Sequence, residues 1–174
     1  MFNRQALHNR FPVIGLILWY LAVLLLGLVV YPLVRLVFGG LSDNGYPFSR
    51  LVAVVLLAFL VWLAGSANIP VTRLTIHVVV GILVLVNAYL GWLQRDSLIS
   101  EFSKRKRYFL LIEGLALGFF LLFLFIRLGN PDLWHPYKGG EKPMDFSYLN
   151  AVIKSTIFPP YDPWFAGGYI NYYY

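Results

Sequence analysis

Residues 11–38 read FPVIGLILWYLAVLLLGLVVYPLVRLVF, and Arg35 is the only charged side chain in that run. A helix crosses a hydrocarbon layer of about 30 Å with about 20 residues, at 1.5 Å of rise each. This tract is therefore long enough to span with length to spare. Working outward, the same reading applies to residues 51–67, 74–93 and 108–128. None shows the polar stripe that a helix of a soluble bundle turns toward water. Unpaired backbone groups are too costly in lipid for any spanning state but helix. The sequence thus predicts an all-α integral membrane protein, with a four-span transmembrane region over residues 1–128.

The composition agrees. The chain is 59% hydrophobic and 13% charged, against about 25% charged in ordinary globular domains. A disordered tail, a typical soluble enzyme and a supercharged nucleic-acid binder are excluded, and no nucleic-acid partner is expected. There is no cysteine, which removes disulfides, thiolate metal sites and cysteine nucleophiles. Residues 1–10 are a basic lead resembling a signal-peptide n-region, but no short apolar stretch with a small-residue cleavage site follows, so the first tract reads as an uncleaved helix. Pro32 is placed to kink it. Gly114 and Gly118 form a small-residue step that would admit a close neighbour. Trp19, Trp62 and Trp92 read as boundary or packing residues. Arg50 counts among the charges near span ends. Within the spans, Asn87 is polar, while His77 and Glu113 lie close enough to ends to snorkel or pair there.

The most basic connector, residues 94–107, carries Arg95, Lys104, Arg105, Lys106 and Arg107 against Asp96 and Glu101. Short basic loops stay cytoplasmic. That rule anchors the connector to headgroups inside and sends the segment after the fourth span to the extracytoplasmic side of the cell membrane. Arg4 and Arg10 run against the assignment.

From Gly129 the material changes. Residues 129–174 hold six of the ten prolines, seven of the twelve tyrosines and four of the eight acidic residues, so an external loop segment replaces the spans. Phe146, Leu149, Val152, Ile153, Thr156 and Ile157 recur on one helical face. They predict a short amphipathic helix on the membrane surface, its apolar side toward lipid or the bundle, with Asp145 as N-cap. Carboxylates among aromatic rings suit sugars or polar headgroups. Asp132 with His135, and Glu141 with Asp145, are oxygen-rich pairs fitted to Mg²⁺ or Mn²⁺ rather than zinc, and Asp132 is the candidate metal ligand. Plainer readings stand beside these. Asp145 serves as a cap alone, Asp132 and Asp162 start turns next to prolines, and Glu141 pairs with Lys138 or Lys142.

The strings NPDLWHP (residues 130–136), GGEKPMDF (139–146) and FPPYDPWFAGGYINYYY (158–174) resemble the "YYY" membrane protein family of Chloroflexi and archaea. That family is also described as a domain of unknown function, and it takes its name from the triplet at Tyr172–Tyr174. The resemblance implies longer polytopic proteins that continue past the triplet. On that basis the chain reads as an N-terminal fragment whose remainder is a partner. The family is distantly similar to C-type-fold membrane glycosyltransferases, which use a lipid-phosphate sugar and an acidic residue in an early external loop. Asp162-Pro-Trp-Phe165 matches a string of oligosaccharyltransferases, whereas Ala166-Gly-Gly-Tyr169 departs from them.

The implied activity is glycosyl transfer from a polyprenyl-phosphate sugar held in membrane lipid. Asp145 or Asp162 would act as general base or orient the acceptor. Glu141, Lys142, His135, Trp164 and Tyr169 would bind substrate, with Lys142 or His135 neutralising phosphate. Another carboxylate, with or without Mg²⁺ or Mn²⁺, would stabilise the leaving group. The rivals are a non-catalytic transporter component or assembly subunit, and an inactive fragment.

Overall fold

The computed structural model describes residues 11–129 and 142–171. Among these residues the α-helices are, in order, α1 Pro12–Val37, α2 Ser49–Ser66, α3 Arg73–Leu93, α4 Arg95–Lys104, α5 Lys106–Gly129 and α6 Lys142–Lys154; a 3₁₀ turn at Tyr46–Phe48 leads into α2. The β-structure among the described residues is one isolated bridge, Tyr161 to Tyr169. α1, α2 with its leading turn, α3 and α5 are each long and apolar enough to cross a membrane. Their large apolar side chains point outward, as with Leu85 at 72% and Phe123 at 66% exposure. That is the inverse of a soluble bundle, and a bilayer is the solvent that makes it stable. The protein is an all-α, multi-pass membrane protein with short helices added to its four spans. The described residues fall into two compact units, one of residues up to Leu60 with His77–Leu98, the other of Val61–Ile76 with Ile99 onward.

The first unit is organised by a proline. α1 opens with Pro12, where a missing N–H costs nothing. Pro32 lies inside the same helix, where it removes a backbone bond and crowds the preceding turn. In lipid the disturbed groups need side chains from a neighbouring helix, and α3 supplies them. The Leu33 amide donates to Asn87 Oδ1 at 3.2 Å, and Asn87 Nδ2 donates to the Leu83 carbonyl of its own helix at 2.8 Å. Gln94 Nε2 donates to the Pro32 carbonyl at 3.2 Å. Arg35 continues the chain of bonds, donating from Nη1 to Gln94 Oε1 at 3.1 Å and from Nη2 to Ser97 Oγ at 2.6 Å. Asn87 is 2% exposed, so a buried carboxamide holds α1 to α3.

Beyond α1 the chain doubles back along it. Asp43 Oδ1 accepts the Gly45 amide at 3.0 Å, and Asn44 and Gly45 take positive φ. Phe38 stacks on Phe48 with centroids 5.9 Å apart, and Tyr46 meets the edge of Tyr31 at 5.1 Å. By Arg50 the chain lies level with Gly27, where an added Cβ would sit 2.7 Å from Arg50 Cγ. Only glycine admits that approach. The Arg50 guanidinium, at the start of α2, lies 5.4 Å above the Tyr20 ring in the first half of α1.

The basic connector carries its own helix, α4, and in its part within the second unit Phe102 packs on Phe109 at 4.3 Å and Glu101 is buried. Among the described residues a Cβ at Gly114 or Gly118 would meet nothing within 4 Å. α6 begins at Lys142 with Pro143 second. Asp145 therefore lies within the first turn, where its charge complements the helix dipole, and it is not the N-cap. After α6 the chain hooks onto the α2–α3 turn. The Val71 amide donates to the Thr156 carbonyl at 2.9 Å. The Phe158 ring rests on Gly65, where a Cβ would lie 2.5 Å from Cδ2. The segment after α6 thus sits on the same membrane face as the α2–α3 turn.

Candidate functional site

Residues 160–170 build a small hairpin. The Ile170 amide donates to the Pro160 carbonyl at 2.8 Å and the Asp162 amide to the Gly168 carbonyl at 3.0 Å. Gly167 supplies the left-handed turn residue at φ +85°. Asp162 Oδ1 accepts the amides of Trp164 at 2.7 Å and Phe165 at 3.3 Å, so this carboxylate sets the turn. Its other oxygen makes no hydrogen bond among the described residues. Pro160 and Ile170, both buried, form the root of the hairpin.

Two contacts fix the hairpin against itself and against α6. Tyr161 and Tyr169 stack with centroids 5.0 Å apart and planes 23° apart. Hydrogen bonding with the Tyr161 hydroxyl raises the Tyr169 phenol above its usual range, with smaller contributions from the Tyr161 charge and from burial. Trp164 Nε1 donates to Ser147 Oγ at 2.7 Å, and that hydroxyl donates to the Met144 carbonyl at 2.7 Å.

Between α6 and the hairpin lies an open groove of about 420 Å³, lined by Ala151, Lys154, Ser155, Thr156, Ile157, Tyr161, Asp162 and Pro163. Its lining includes an ammonium, a carboxylate, a phenol and two alcohols. Ser155 Oγ is committed to a local turn, donating to the Ile157 carbonyl at 2.9 Å and accepting its amide at 3.3 Å. Lys154, Thr156 and Tyr161 are exposed. The set offers a cation for an anionic group, hydroxyls and a carboxylate for hydrogen bonding, and a ring for an apolar face.

Of the residues singled out from sequence, Asp162 lines this groove. Trp164 and Tyr169 belong to the hairpin beside it. Asp145 is exposed on α6 and is not part of the lining. Lys142 is half-buried at the start of α6. Asp132, His135, Glu141 and the triplet Tyr172–Tyr174 lie outside the described residues. Among the described residues no three His, Cys, Asp or Glu side chains converge. Lys154, Thr156 and Tyr161 were missed in the sequence. The available signal was a polar Lys154-Ser-Thr156 step between an amphipathic stretch and Pro159-Pro160.

The chain matches no curated protein and no solved structure. A family model described as "Uncharacterized membrane protein (DUF2298)" matches residues 56–174. That is more than half of the chain, it includes the whole groove, and the chain belongs to this family.

Proposed function

We propose that the groove beside Asp162 receives a polyprenyl-phosphate sugar and that the protein takes part in glycosyl transfer at the extracytoplasmic membrane surface. The observation that supports this reading is the meeting of Lys154, Thr156, Tyr161 and Asp162 in one groove, tied to the α2–α3 turn at the bilayer edge through Thr156. The polyprenyl chain stays in the bilayer, its phosphate meets Lys154, and the sugar lies on Tyr161. Asp162 keeps Oδ1 on the Trp164 and Phe165 amides. Its other oxygen orients the acceptor hydroxyl and takes the proton as the acceptor oxygen attacks the anomeric carbon and polyprenyl phosphate departs. Residues 1–128 anchor the protein, and residues 129–174 carry the chemistry. Mg²⁺ or Mn²⁺ would neutralise the leaving phosphate, with Asp132 the candidate ligand.

A non-catalytic docking role is the second reading, and the turn made by Asp162 favours it, because the turn alone accounts for the carboxylate. The two separate in Asp162→Asn, since an asparagine Oδ1 still accepts both amides while the charge and base are lost. Transfer from labelled polyprenyl-phosphate sugar is measured in vesicles at equal expression. Glycosyl transfer predicts a fall of about 10²-fold or more for Asp162→Asn, as for loss of a general base. It also predicts weaker donor binding in Lys154→Met and little change in Asp145→Asn. Unchanged turnover and KM in both groove variants would leave the docking role standing.

A further inference from the structure

On α6, Phe146, Leu149 and Ile153 fall within about 60° of one another at 100° per residue. They are 52%, 54% and 71% exposed, and no residue of α6 is buried. Asp145 and Asn150 flank this stripe, whereas Ala151, which lines the groove, falls on the opposite side of the helix. The hairpin tip adds Trp164 at 63% and Phe165 at 69% exposure. The bond from Trp164 Nε1 to Ser147 Oγ makes tip and helix one piece.

What covers this surface follows from where it is fastened. Thr156, two residues past α6, is bonded to Val71, and Phe158 rests on Gly65 in the last turn of α2. Trp62 near the end of α2 and Arg73 at the start of α3 are the residue types that mark headgroup level. The end of α6 is thus held at the rim of the bilayer that the spans cross. An apolar stripe with polar flanks, held at that rim, is the pattern of an interfacial helix, whose apolar side sinks about 5–10 Å into the headgroup–acyl boundary.

We propose that α6 lies flat in this boundary, with Phe146, Leu149 and Ile153 in lipid, and that Trp164 and Phe165 insert beside it as a second anchor. The bilayer is the occupant of this face. The groove then opens from the water-facing side of α6, at headgroup height. The inference stands independently of any reaction in the groove.

The chain has no cysteine, so single nitroxide labels at 149, 153, 165 and 151 report without background. The whole protein is placed in vesicles of phosphatidylethanolamine and phosphatidylglycerol, and collision with oxygen is compared with collision with a water-soluble nickel chelate. Labels at 149, 153 and 165 are expected to favour oxygen, and the label at 151 to favour the chelate. Chelate-favoured collisions at 149 and 153 would overturn the proposal, since the stripe would then face water. Low collision with both reagents there would also overturn it, because a protein surface would be the cover. As a readout independent of the helix, Trp164 with the other tryptophans replaced by phenylalanine should be quenched by brominated acyl chains. No quenching would remove the second anchor.

Discussion

Asn87 and Tyr169 show how much single side chains decide here. Asn87 occupies both ends of its carboxamide, giving Oδ1 to the amide of Leu33 just past Pro32 and donating from Nδ2 within α3. In Asn87→Leu the Leu33 amide loses that acceptor in a buried, apolar setting. Side-chain bonds between membrane helices average about 0.6 kcal/mol and reach about 1.7 kcal/mol. The buried position places this one toward the upper end, so unfolding in detergent should show a loss of about 1–2 kcal/mol. Tyr169 reports on the hairpin. Its phenol titrates above the ordinary value of 10.0, chiefly through its hydrogen bond with Tyr161. A raised folded-state pKa means that the folded form holds the proton more tightly than the unfolded chain. The stabilisation is complete below pH 10 and is lost as pH rises through the folded value. In Tyr161→Phe the carbon-13 shift of the Tyr169 ring should titrate at lower pH than in the parent. An unmoved midpoint would mean that the two hydroxyls do not interact.

At the level of elements, Gly65 is where the segment after α6 fastens to a span. A methyl there would meet the Phe158 ring at 2.5 Å. Gly65→Ala should therefore loosen the hook and speed hydrogen exchange at the Val71 amide, whose partner is the Thr156 carbonyl. Exchange as slow as in the parent would show that the hook does not depend on that contact. The four long helices were legible in sequence because apolar length is a local property. Pairing is not local. Hydropathy marked Pro32 as a kink and Asn87 as a stray polar residue, and nothing in one dimension joined them. Arg50 does stand at the start of a span, but its place over the Tyr20 ring is not legible in sequence, because the return of residues 38–48 along α1 depends on two positive-φ positions and on Gly27. α6 starts four residues before the position that an N-cap at Asp145 implies, since Pro143 looks like a breaker yet is welcome in a first helical turn. Asp162 stands out in sequence as a carboxylate among aromatic residues, while Thr156 reads there as part of a helical apolar face and Lys154 as one basic residue of the tail; the hairpin is what brings the three to one groove.

Taken whole, this is a multi-pass membrane protein with four long apolar helices and shorter helices beside them, and the basic connector carries an expectation of sidedness that labelling can test. If the cluster at Lys104–Arg107 stays cytoplasmic, cysteines placed at positions 70 and 150 should react with an impermeant maleimide added outside intact cells. One placed at position 103 should react only after lysis. Labelling of 70 and 150 from opposite sides would break the shared face made by Val71 and Thr156. The proposed function depends most directly on what enters the groove between α6 and the hairpin. A polyprenyl-phosphate sugar carrying a photoreactive group on the sugar, in vesicles with the whole protein, tests that directly. Crosslinks are expected within residues 151–163, competed by unlabelled donor and diminished in Lys154→Met. Crosslinks confined to the spans, or unaffected by competitor, would contradict it.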